Sequence, residues 1–504
     1  MLAIACTSVP AATSATPTAT QDLVRGGTLR VALTTDITSL DPWTASDADT
    51  FAVLRQMYES LVAFEPGTLR IVPRLAFRWT VSPDARTWTF TLRSGVRFHD
   101  GTPLDAAAVA FNFERARAFA RFDLGSLAES VTAPDPSTVV FALRAPYAGL
   151  LATLASPSFA IVSPSCVRQG PAWATSGSRC GAGTGPFKLE AGGWRPGERV
   201  TLTRNAAYWG TDASGRRLPL LDGVVFTPVR DETVRVGGLK AAAVDLVLDL
   251  APASIRTLRA DPNIAAASSP MYATLFLGFG NARPFDSLEV RRAVALTVDR
   301  GSVVQAAYAG QARPAVQLLP PGVLGYDDTV TQFAPMDVSA AKKALADASL
   351  SAGFATELWY SPDATTTLPD PKRVAESIAS DLVKIGLTVT VRTEDPAAFA
   401  ADARAGRLPL WIGMREPERP DPDEFLADAS TDPVVLELLR GARGEPDASK
   451  RGEVYKQVTK LVQQSVSRIP LLHTGGLAGL SKKVQGFVPA AVGPEALETV
   501  FFRN

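Results

Sequence analysis

Residues 354–423 read FATELWYSPDATTTLPDPKRVAESIASDLVKIGLTVTVRTEDPAAFAADARAGRLPLWIGMREPERPDPD, and their apolar, capping and turn residues predict a complete folding unit. The apolar and aromatic stretch 355–360 predicts a strand. Asp370 followed by Pro371 predicts the start of a helix, because aspartate caps helices and proline suits the first helical position. Apolar side chains then recur every three or four residues, which predicts a buried helix face ending at Gly386. These side chains are Val374, Ile378, Leu382 and Ile385.

A second strand, a second helix and a third strand follow in the same segment. Residues 387–391 alternate with period two and are rich in β-branched residues, as strands are. Asp395 and Pro396 predict another helix start, Gly406 predicts its end, and residues 408–412 predict a further apolar strand. The order β-α-β-α-β predicts parallel strands joined by right-handed crossovers. Ligands of such sheets lie beyond the carboxyl ends of the strands.

The loop after the third strand, residues 413–423, is therefore a candidate ligand-binding loop. It carries four carboxylates and two guanidiniums among three prolines, so its charges lie on a stiffened backbone. The alternative is a solvated surface turn, which is the usual role of a run of charged residues.

Composition bounds the class of protein. A chain of 504 residues predicts two or three domains, and 46% hydrophobic with 20% charged residues is ordinary for a globular protein. Because 51 basic and 51 acidic residues cancel, no overall field would draw the chain to nucleic acid or to an anionic membrane. No uninterrupted apolar run reaches the length of a membrane helix, and the longest candidate, residues 272–279, predicts a buried strand instead.

The N-terminal residues 1–25 predict a signal remnant and a tether. Residues 2–6 resemble the end of a bacterial lipoprotein signal, in which small residues precede a cysteine that is lipidated, here Cys6. Residues 7–21 consist mainly of Thr, Ala, Ser and Pro and carry no charge, and such a composition behaves as a flexible tether. The alternative is a disordered tail with an incidental cysteine.

The other two cysteines, Cys166 and Cys180, flank a segment rich in Gly, Ser and Pro. In an oxidising compartment they are expected to form a disulfide, which for a loop of about 15 residues would stabilise the fold by roughly 3 kcal/mol. Two free buried thiols or metal ligands are the alternatives. A metal site is not predicted, because the two histidines, His99 and His473, lack metal-ligand spacing.

Between residues 51 and 165, mixed helix and strand signals predict an α+β insertion. Residues 50–63 predict an amphipathic helix and residues 104–120 another. Residues 86–101 predict a hairpin, because Trp88, Phe90 and Leu92 alternate with threonines before a Ser-Gly turn.

Several segments together resemble the family 5 extracellular solute-binding proteins, the peptide- and nickel-type receptors of ABC importers. The main one is residues 88–103, WTFTLRSGVRFHDGTP. Others occur in the order of that family and extend the resemblance over about residues 26–504. They are residues 38–42, 58–61, 183–187 with Asn205 and Tyr208-Trp209, 290–293 with 298–300, and 469–471.

The resemblance implies an α/β, two-lobed fold of the periplasmic-binding-protein type II kind, with the α+β subdomain in lobe 1. Lobe 1 would combine residues 26–268 with 476–504, and lobe 2 would span residues 269–475. The lobes would close over a ligand by hinge motion. The implied protein is a monomeric, membrane-anchored lipoprotein of the cell surface or periplasm that passes a peptide or similar medium-sized solute to ABC transporter permease subunits.

In peptide-binding members of the family, an aspartate in the loop after the lobe 2 strand pairs with the α-amino group of the peptide. Asp421 belongs to the Asp-Pro-Asp end of that motif, and Glu418 stands where the pairing aspartate would be. This is a departure, and Arg415 and Arg419 flank it, so these guanidiniums could neutralise Glu418 or bind a ligand carboxylate themselves. The departure puts dipeptide binding in question, and an acidic, zwitterionic or sugar-like ligand is the alternative.

Aromatic residues near predicted strand ends or crossovers could stack on a ligand, although core packing is the alternative for each. They are Trp411, Trp359, Tyr272, Phe276 and Trp43. The stretch 181–186, GAGTGP, lacks the Lys-Ser/Thr ending of a phosphate loop and precedes a strand, so its glycines indicate backbone geometry, with Thr184 a candidate to line the cleft.

Catalysis is not predicted. The sequence contains no H-E-x-x-H, G-x-S-x-G or S-x-x-K motif, and no cofactor is implied. Two alternatives to a transport receptor stay open: an envelope lipoprotein of the same fold that regulates or scaffolds a partner enzyme, and a hydrolase whose turnover would depend on a carboxylate such as Glu418.

Overall fold

The computed structural model describes residues 23–116, 127–175, 180–330, 335–417 and 419–503. Within these ranges, the strands form two large sheets, one of seven and one of six strands, with three smaller sheets beside them. We call the part built on the seven-stranded sheet lobe 1 and the part built on the six-stranded sheet lobe 2. In the described part of the chain, every helix is too short or too polar to cross a membrane.

The lobe 1 sheet is centred on the buried strand Thr28–Leu33, which runs parallel to Gly223–Pro228 on one side and to Leu246–Val247 on the other. Its hydrophobic side chains form one continuous core with the helix Ala48–Met57. In spatial order the strands are Ile264–Ser268, Leu477–Ser481, Leu246–Val247, Thr28–Leu33, Gly223–Pro228, Arg199–Arg204 and Phe187–Arg195.

The lobe 2 sheet contains the predicted β-α-β-α-β unit, which the structure confirms. The strand Ala355–Tyr360 pairs in parallel with both Thr388–Thr393 and Leu410–Arg415. The helices Pro371–Val383 and Pro396–Arg404 connect these strands, and each begins at the predicted aspartate cap. In spatial order the strands are Arg313–Pro314, Arg468–Thr474, Ala273–Phe279, Leu410–Arg415, Ala355–Tyr360 and Thr388–Thr393.

The two faces of the lobe 2 sheet pack differently. Leu275, Leu277 and Ile412 belong to a large core shared with the helices on one face. Phe276 and Trp411 belong to a smaller cluster on the opposite face. The two groups lie on opposite faces, since successive residues of a strand point to opposite sides.

The α+β subdomain of lobe 1 has its own core around a four-stranded sheet. Two predictions were wrong here. The helix expected over residues 50–63 ends at Met57, where the chain becomes extended, and Val62–Phe64 is a strand paired with Ile71–Pro73. The strand Thr87–Leu92 pairs with Ala76–Val81 before it and with Thr138–Leu143, and not with residues after the Ser-Gly turn. Alternation predicts a strand and its buried face, but not its partner.

Two chain crossings join the lobes side by side. The antiparallel pair Ile264–Ser268 and Leu477–Ser481 belongs to lobe 1, and the antiparallel pair Ala273–Phe279 and Arg468–Thr474 belongs to lobe 2. Between them the Ser269 amide donates to the Gly476 carbonyl at 2.9 Å. Both crossings are thus short continuations of paired strands.

The disulfide between Cys166 and Cys180 is present, and both residues are buried in the lobe 1 core. This confirms the predicted pairing and excludes free thiols or metal ligands at these positions. Cys6 and the tether lie outside the described residues.

The remaining elements complete the two lobes. The helices are Ala106–Ala116, Leu150–Ala155, Pro164–Val167, Glu232–Lys240, Pro252–Arg259, Leu288–Thr297, Arg300–Tyr308, Val338–Asp347, Pro422–Leu426, Pro433–Gly444 and Ala448–Ser465, with 3₁₀ turns at Pro157–Phe159 and Pro171–Ala174. The remaining strands are Leu23–Val24, Ala128–Asp135, Val484–Gln485 and Phe501–Arg503.

Candidate functional site

The carboxyl ends of parallel strands in both lobes carry polar residues, as expected for a ligand cleft. In lobe 1, Thr34 and Thr35 follow the central strand, and Asp249 follows Leu246–Val247 shortly after its end. In lobe 2, Glu416 directly follows the strand Leu410–Arg415.

On the lobe 1 side of this region, Asp49 supplies a carboxylate that contacts Thr34 and Thr35. It is only 4% exposed and lies in the first turn of the helix Ala48–Met57, where the helix dipole favours its negative charge. Its Oδ2 accepts hydrogen bonds from the Thr35 amide at 2.6 Å, from the Thr35 hydroxyl at 2.9 Å and from the Thr34 hydroxyl. Asp49 is therefore a buried carboxyl group held by neutral donors.

Asp249 lies close to Asp49, and Glu495 lies close to Asp249, and in both residues burial and a neighbouring carboxylate raise the pKa. Burial, together with the charges of Asp49 and Glu416, raises the pKa of Asp249 to about 6. Burial and the charge of Asp249 raise the pKa of Glu495 to about 7. Arg235 partly offsets the effect on Asp249, but its guanidinium donates to the carbonyls of residues 229 and 230.

Glu416 supplies a carboxylate from the other lobe. It accepts a hydrogen bond from the Thr367 hydroxyl at 2.6 Å, and desolvation by the surrounding protein raises its pKa. The charge of Glu416 contributes to the raised pKa of Asp249, so carboxylates of the two lobes lie within electrostatic range of each other. Such an arrangement is stabilised by a cation placed between the lobes.

The two arginines of the predicted ligand loop already have carboxylate partners. Arg415 pairs with Asp428, and Arg419 pairs with Glu424. Both partners lie beyond the motif from which the sites were predicted. Glu418, which the motif places at the ligand amino group, lies outside the described residues.

Asp421 is buried beneath this loop. It is 3% exposed and accepts two hydrogen bonds from Arg451 Nη2, at 2.9 and 2.8 Å, while it also caps the helix Pro422–Leu426. The lobes touch nearby, where the Ala148 amide donates to the Arg443 carbonyl at 2.7 Å. Asp421 thus anchors the loop at a contact between the lobes.

The aromatic candidates fall into two groups. Trp43 is 1% exposed and packs edge-on against Phe113 and Phe159 in the subdomain core, which is the packing alternative left open by the sequence. Trp411 and Trp359 are half-buried register partners in neighbouring parallel strands of lobe 2.

Phe276 lies in the lobe 2 strand Ala273–Phe279, and Tyr272 directly precedes that strand. Phe276 packs edge-on against Trp411, with ring centroids 5.3 Å apart. Tyr272 is 5% exposed, and its hydroxyl has no hydrogen-bond partner among the described residues. Burial and the nearby carboxylates of Glu424, Asp421 and Glu416 raise its pKa.

Thr184 lies inside lobe 1, in a polar cluster that the sequence did not predict. Its hydroxyl donates to Glu59 Oε2 at 2.8 Å, and Glu59 is itself 1% exposed. The Tyr208 hydroxyl and Trp209 Nε1 also donate to Glu59, each at 2.9 Å, and Arg74 forms an ion pair with it, with Nε 2.7 Å from Oε1. The segments 58–61, 183–187 and 208–209, which carry part of the family resemblance, converge here. Their joint occurrence in the sequence was therefore the signal that could have located this cluster.

Both histidines have protein partners. His473 is 2% exposed, its Nδ1 lies 2.9 Å from the Thr274 hydroxyl, and burial lowers its pKa to about 3. His99 Nε2 lies 2.9 Å from the Gly185 carbonyl. In the described part of the chain, no three His, Cys, Asp or Glu side chains are grouped so that they could hold a metal ion.

Comparison with known proteins identifies relatives along most of the chain. The model of bacterial extracellular solute-binding proteins, family 5 Middle, matches residues 70–433. Heme-binding protein A of Haemophilus influenzae is 30% identical over 481 residues, which cover 88% of this chain and 86% of that protein. The dipeptide-binding protein of Escherichia coli is 28% identical over 493 residues, which cover 88% of each.

A solved structure agrees with the fold. HbpA2 of Haemophilus parasuis superposes with a TM-score of 0.86 at 28% identity, covering 95% of this chain and 100% of that one. The predicted α/β, two-lobed fold is confirmed.

Proposed function

The chain belongs to the family 5 bacterial extracellular solute-binding proteins, and from this membership we propose that it captures an oligopeptide or similar medium-sized solute between its lobes and delivers it to an ABC importer. Members of this family are extracellular binding proteins. Transport by this route requires binding and release, and no chemical step.

The observation that carries the proposal is the pair of opposed acidic surfaces. Asp249 and Glu495 lie on lobe 1, and Glu416 lies on lobe 2. The ammonium group of a peptide placed between them would relieve the repulsion and favour the closed arrangement, because a ligand shifts such an equilibrium by its differential affinity for the closed form.

The relatives support a peptide-like solute. Their names include a dipeptide-binding protein and glutathione-binding proteins, and both ligands carry an ammonium group and carboxylates. A heme-binding protein is also among them. A peptide fits this chain better, since His99 and His473 are each engaged with protein atoms and are not presented to the cleft as iron ligands.

We propose that lobe 1 comprises residues 26–268 and 476–504, that lobe 2 comprises residues 269–475, and that closure bends the two crossings between them. The grouping of strands into the two sheets supports this division. We further propose a monomer anchored through lipidated Cys6, with permease subunits as partners. The small residues before Cys6 and the uncharged segment after it support the anchor.

The test combines solute identification with a measurement of closure. Native mass spectrometry of the purified protein should show a retained small molecule, and a panel of di- and tripeptides should then be titrated by calorimetry. Small-angle scattering should show a smaller radius of gyration in the bound protein. A tightly bound solute with an unchanged radius of gyration would contradict capture between the lobes.

A pair of variants locates the ammonium group. Glu416→Gln should weaken peptide binding by about tenfold or more, since it removes a charge that faces the cleft. The matched control is Glu437→Gln on the exposed side of the helix Pro433–Gly444, which should leave affinity unchanged. Equal affinity of Glu416→Gln and the native protein would remove Glu416 from the site.

A further inference from the structure

A groove runs along the aromatic face of the lobe 2 sheet and reaches Glu416, the lobe 2 member of the acidic surfaces. Its volume is about 1120 Å³, and it extends from Arg415 and Glu416 at the carboxyl end of a strand to Asn281 and Gly406 near the other end. Phe276 and Trp411 form its floor.

Gly413 allows this floor to form. A Cβ at this position would lie 2.3 Å from Phe276 Cζ and 2.7 Å from Trp411 Cζ3, so any side chain would force the two rings to move. The two rings thus lie directly against the backbone of the strand Leu410–Arg415, in space that another residue's side chain would fill.

Arg468 lies against this aromatic floor. It is 8% exposed, and its guanidinium carbon is 4.7 Å from the Phe276 ring centroid and 5.8 Å from that of Trp411. Its Nη1 donates to Asp428 Oδ1 at 2.9 Å, and its Nη2 donates to the Asp428 carbonyl at 2.8 Å. Packing against two rings fixes the orientation of this cation.

Asp428 also serves a second cation. Its other carboxylate oxygen pairs with Arg415, so one carboxylate is shared by two guanidiniums. The Arg415 side chain is 31% exposed and that of Asp428 is 54% exposed, so solvent reaches this pair.

The excess of positive charge is local, because two guanidiniums share the single carboxylate of Asp428, whereas the groove as a whole is lined by more carboxylates than guanidiniums. Burial and the charge of Arg468 lower the pKa of Arg415 to about 10, and burial lowers that of Arg468 to about 10. Arg291 also lines the groove, and its guanidinium donates to the carbonyls of Phe285, Asp286 and Ser465. Asp363, Asp286 and Arg404 are exposed lining residues, and Asp432 caps the helix Pro433–Gly444.

We propose that this groove binds the anionic end of the solute, a carboxylate attached to an apolar or aromatic group. The carboxylate would pair with Arg415 and Arg468 in exchange with Asp428, and the apolar part would lie on the half-buried Trp411, which the buried Phe276 supports. The role in solute recognition rests on the proposed function. Arg415 and Glu416 both line the groove, so an anion at Arg415 and an ammonium at Glu416 can belong to one zwitterionic molecule.

The test uses benzoate and benzamide, which have nearly the same shape and differ in charge. Calorimetric titration of the full chain should show benzoate binding about tenfold tighter than benzamide, as one charge-assisted pairing predicts. Arg415→Gln should abolish this preference, whereas Arg440→Gln on the exposed face of the helix Pro433–Gly444 should leave it unchanged. Asp428→Asn should strengthen benzoate binding about threefold or more, because it removes the internal competitor.

Two results would overturn the proposal. The first is a native protein that does not prefer benzoate over benzamide, which includes a protein that binds neither. The second is an Arg415→Gln variant that keeps the native preference. Circular dichroism checks that each variant is folded, and the partly exposed Arg415 and Asp428 make these variants safer than changes at buried Arg468. Because benzoate reports on the groove without any peptide, a groove that binds benzoate in a protein that captures no peptide would contradict the proposed function alone.

Discussion

Asp249 shows how a single residue acquires its chemistry from the fold. It has a positive backbone φ of 52°, at a position where a sheet strand turns into the next helix, and Asp and Asn tolerate this conformation better than most residues. The side chain is thereby brought near Asp49 and the lobe 2 residue Glu416, although nothing in the surrounding sequence marks it as part of a site.

Protonation of Glu495 should make stability depend on pH. Its pKa is raised from an ordinary 4.5 to about 7, so between these values the folded protein holds a proton that the unfolded chain has lost. The free energy of unfolding should therefore fall as pH rises from about 4.5 to 7. Glu495→Gln should flatten this dependence, measured by urea unfolding at several pH values.

The matched control for this experiment is Glu437→Gln, an exposed carboxylate paired with Arg440, which should keep the native pH profile. Native and Glu495→Gln profiles that run parallel from pH 4.5 to 7 would show that Glu495 does not carry this proton.

The charged loop illustrates what residue patterns alone could not decide. Arg415 and Arg419 were predicted to neutralise Glu418 or to meet a ligand, and the structure pairs them with Asp428 and Glu424, while Glu418 lies outside the described residues. The partner of Arg415 lies 13 residues later, past a helix, so its position depends on how that helix packs. Contact with a ligand stays a prediction for both arginines.

At the scale of elements, the loop 181–186 has the role of backbone geometry that its sequence indicated. A Cβ on Gly183 would lie 2.1 Å from the Met57 carbonyl oxygen and 2.5 Å from Tyr58 Cδ1. The Gly185 amide donates to that same Met57 carbonyl at 2.9 Å. The loop therefore packs its backbone directly on the end of the helix Ala48–Met57.

Gly183→Ala should destabilise the protein by about 2–3 kcal/mol, because it forces two backbones apart in a packed interior. The control is Gly237→Ala in the exposed part of the helix Glu232–Lys240, where an added Cβ meets nothing within 4 Å. This control should stabilise the protein by up to about 1 kcal/mol, since alanine favours helices. Urea unfolding measures both, and equal midpoints for native protein and Gly183→Ala would contradict the tight contact.

At the scale of the whole molecule, two large hydrophobic cores form on separate sheets. One belongs to lobe 1 and the other to lobe 2, and the chain passes between them at two places. Contacts at Ala148 and Arg443 add a direct link between the lobes. Such an arrangement permits the lobes to move and also to lose their structure separately.

Calorimetry should reveal this independence. We expect the calorimetric enthalpy of unfolding of the free protein to exceed the van't Hoff enthalpy, because the lobes do not unfold as one cooperative unit. A solute that contacts both lobes should bring the ratio closer to one, since it couples their unfolding. A ratio of one in the free protein, at several scan rates, would contradict separate cooperative units.

The sequence by itself determined the β-α-β-α-β unit, the disulfide and the family resemblance. These rest on signals read within short stretches: aspartate-proline caps, glycine ends, alternating side chains, two cysteines around a loop, and ordered motifs. Each such signal acts through the backbone of its own neighbourhood, so it survives without knowledge of the rest of the chain.

Only the tertiary structure decided which charges are satisfied and which surfaces are open. The carboxylates of Asp49, Asp249, Glu416 and Glu495 come from four distant parts of the chain, and their electrostatic interaction arises because two sheets direct strand ends and adjoining segments toward one cleft. Trp43 became a core residue and Trp411 a groove residue although both are tryptophans near strand or turn signals. Burial and charge pairing depend on distances between segments, which local sequence patterns do not contain.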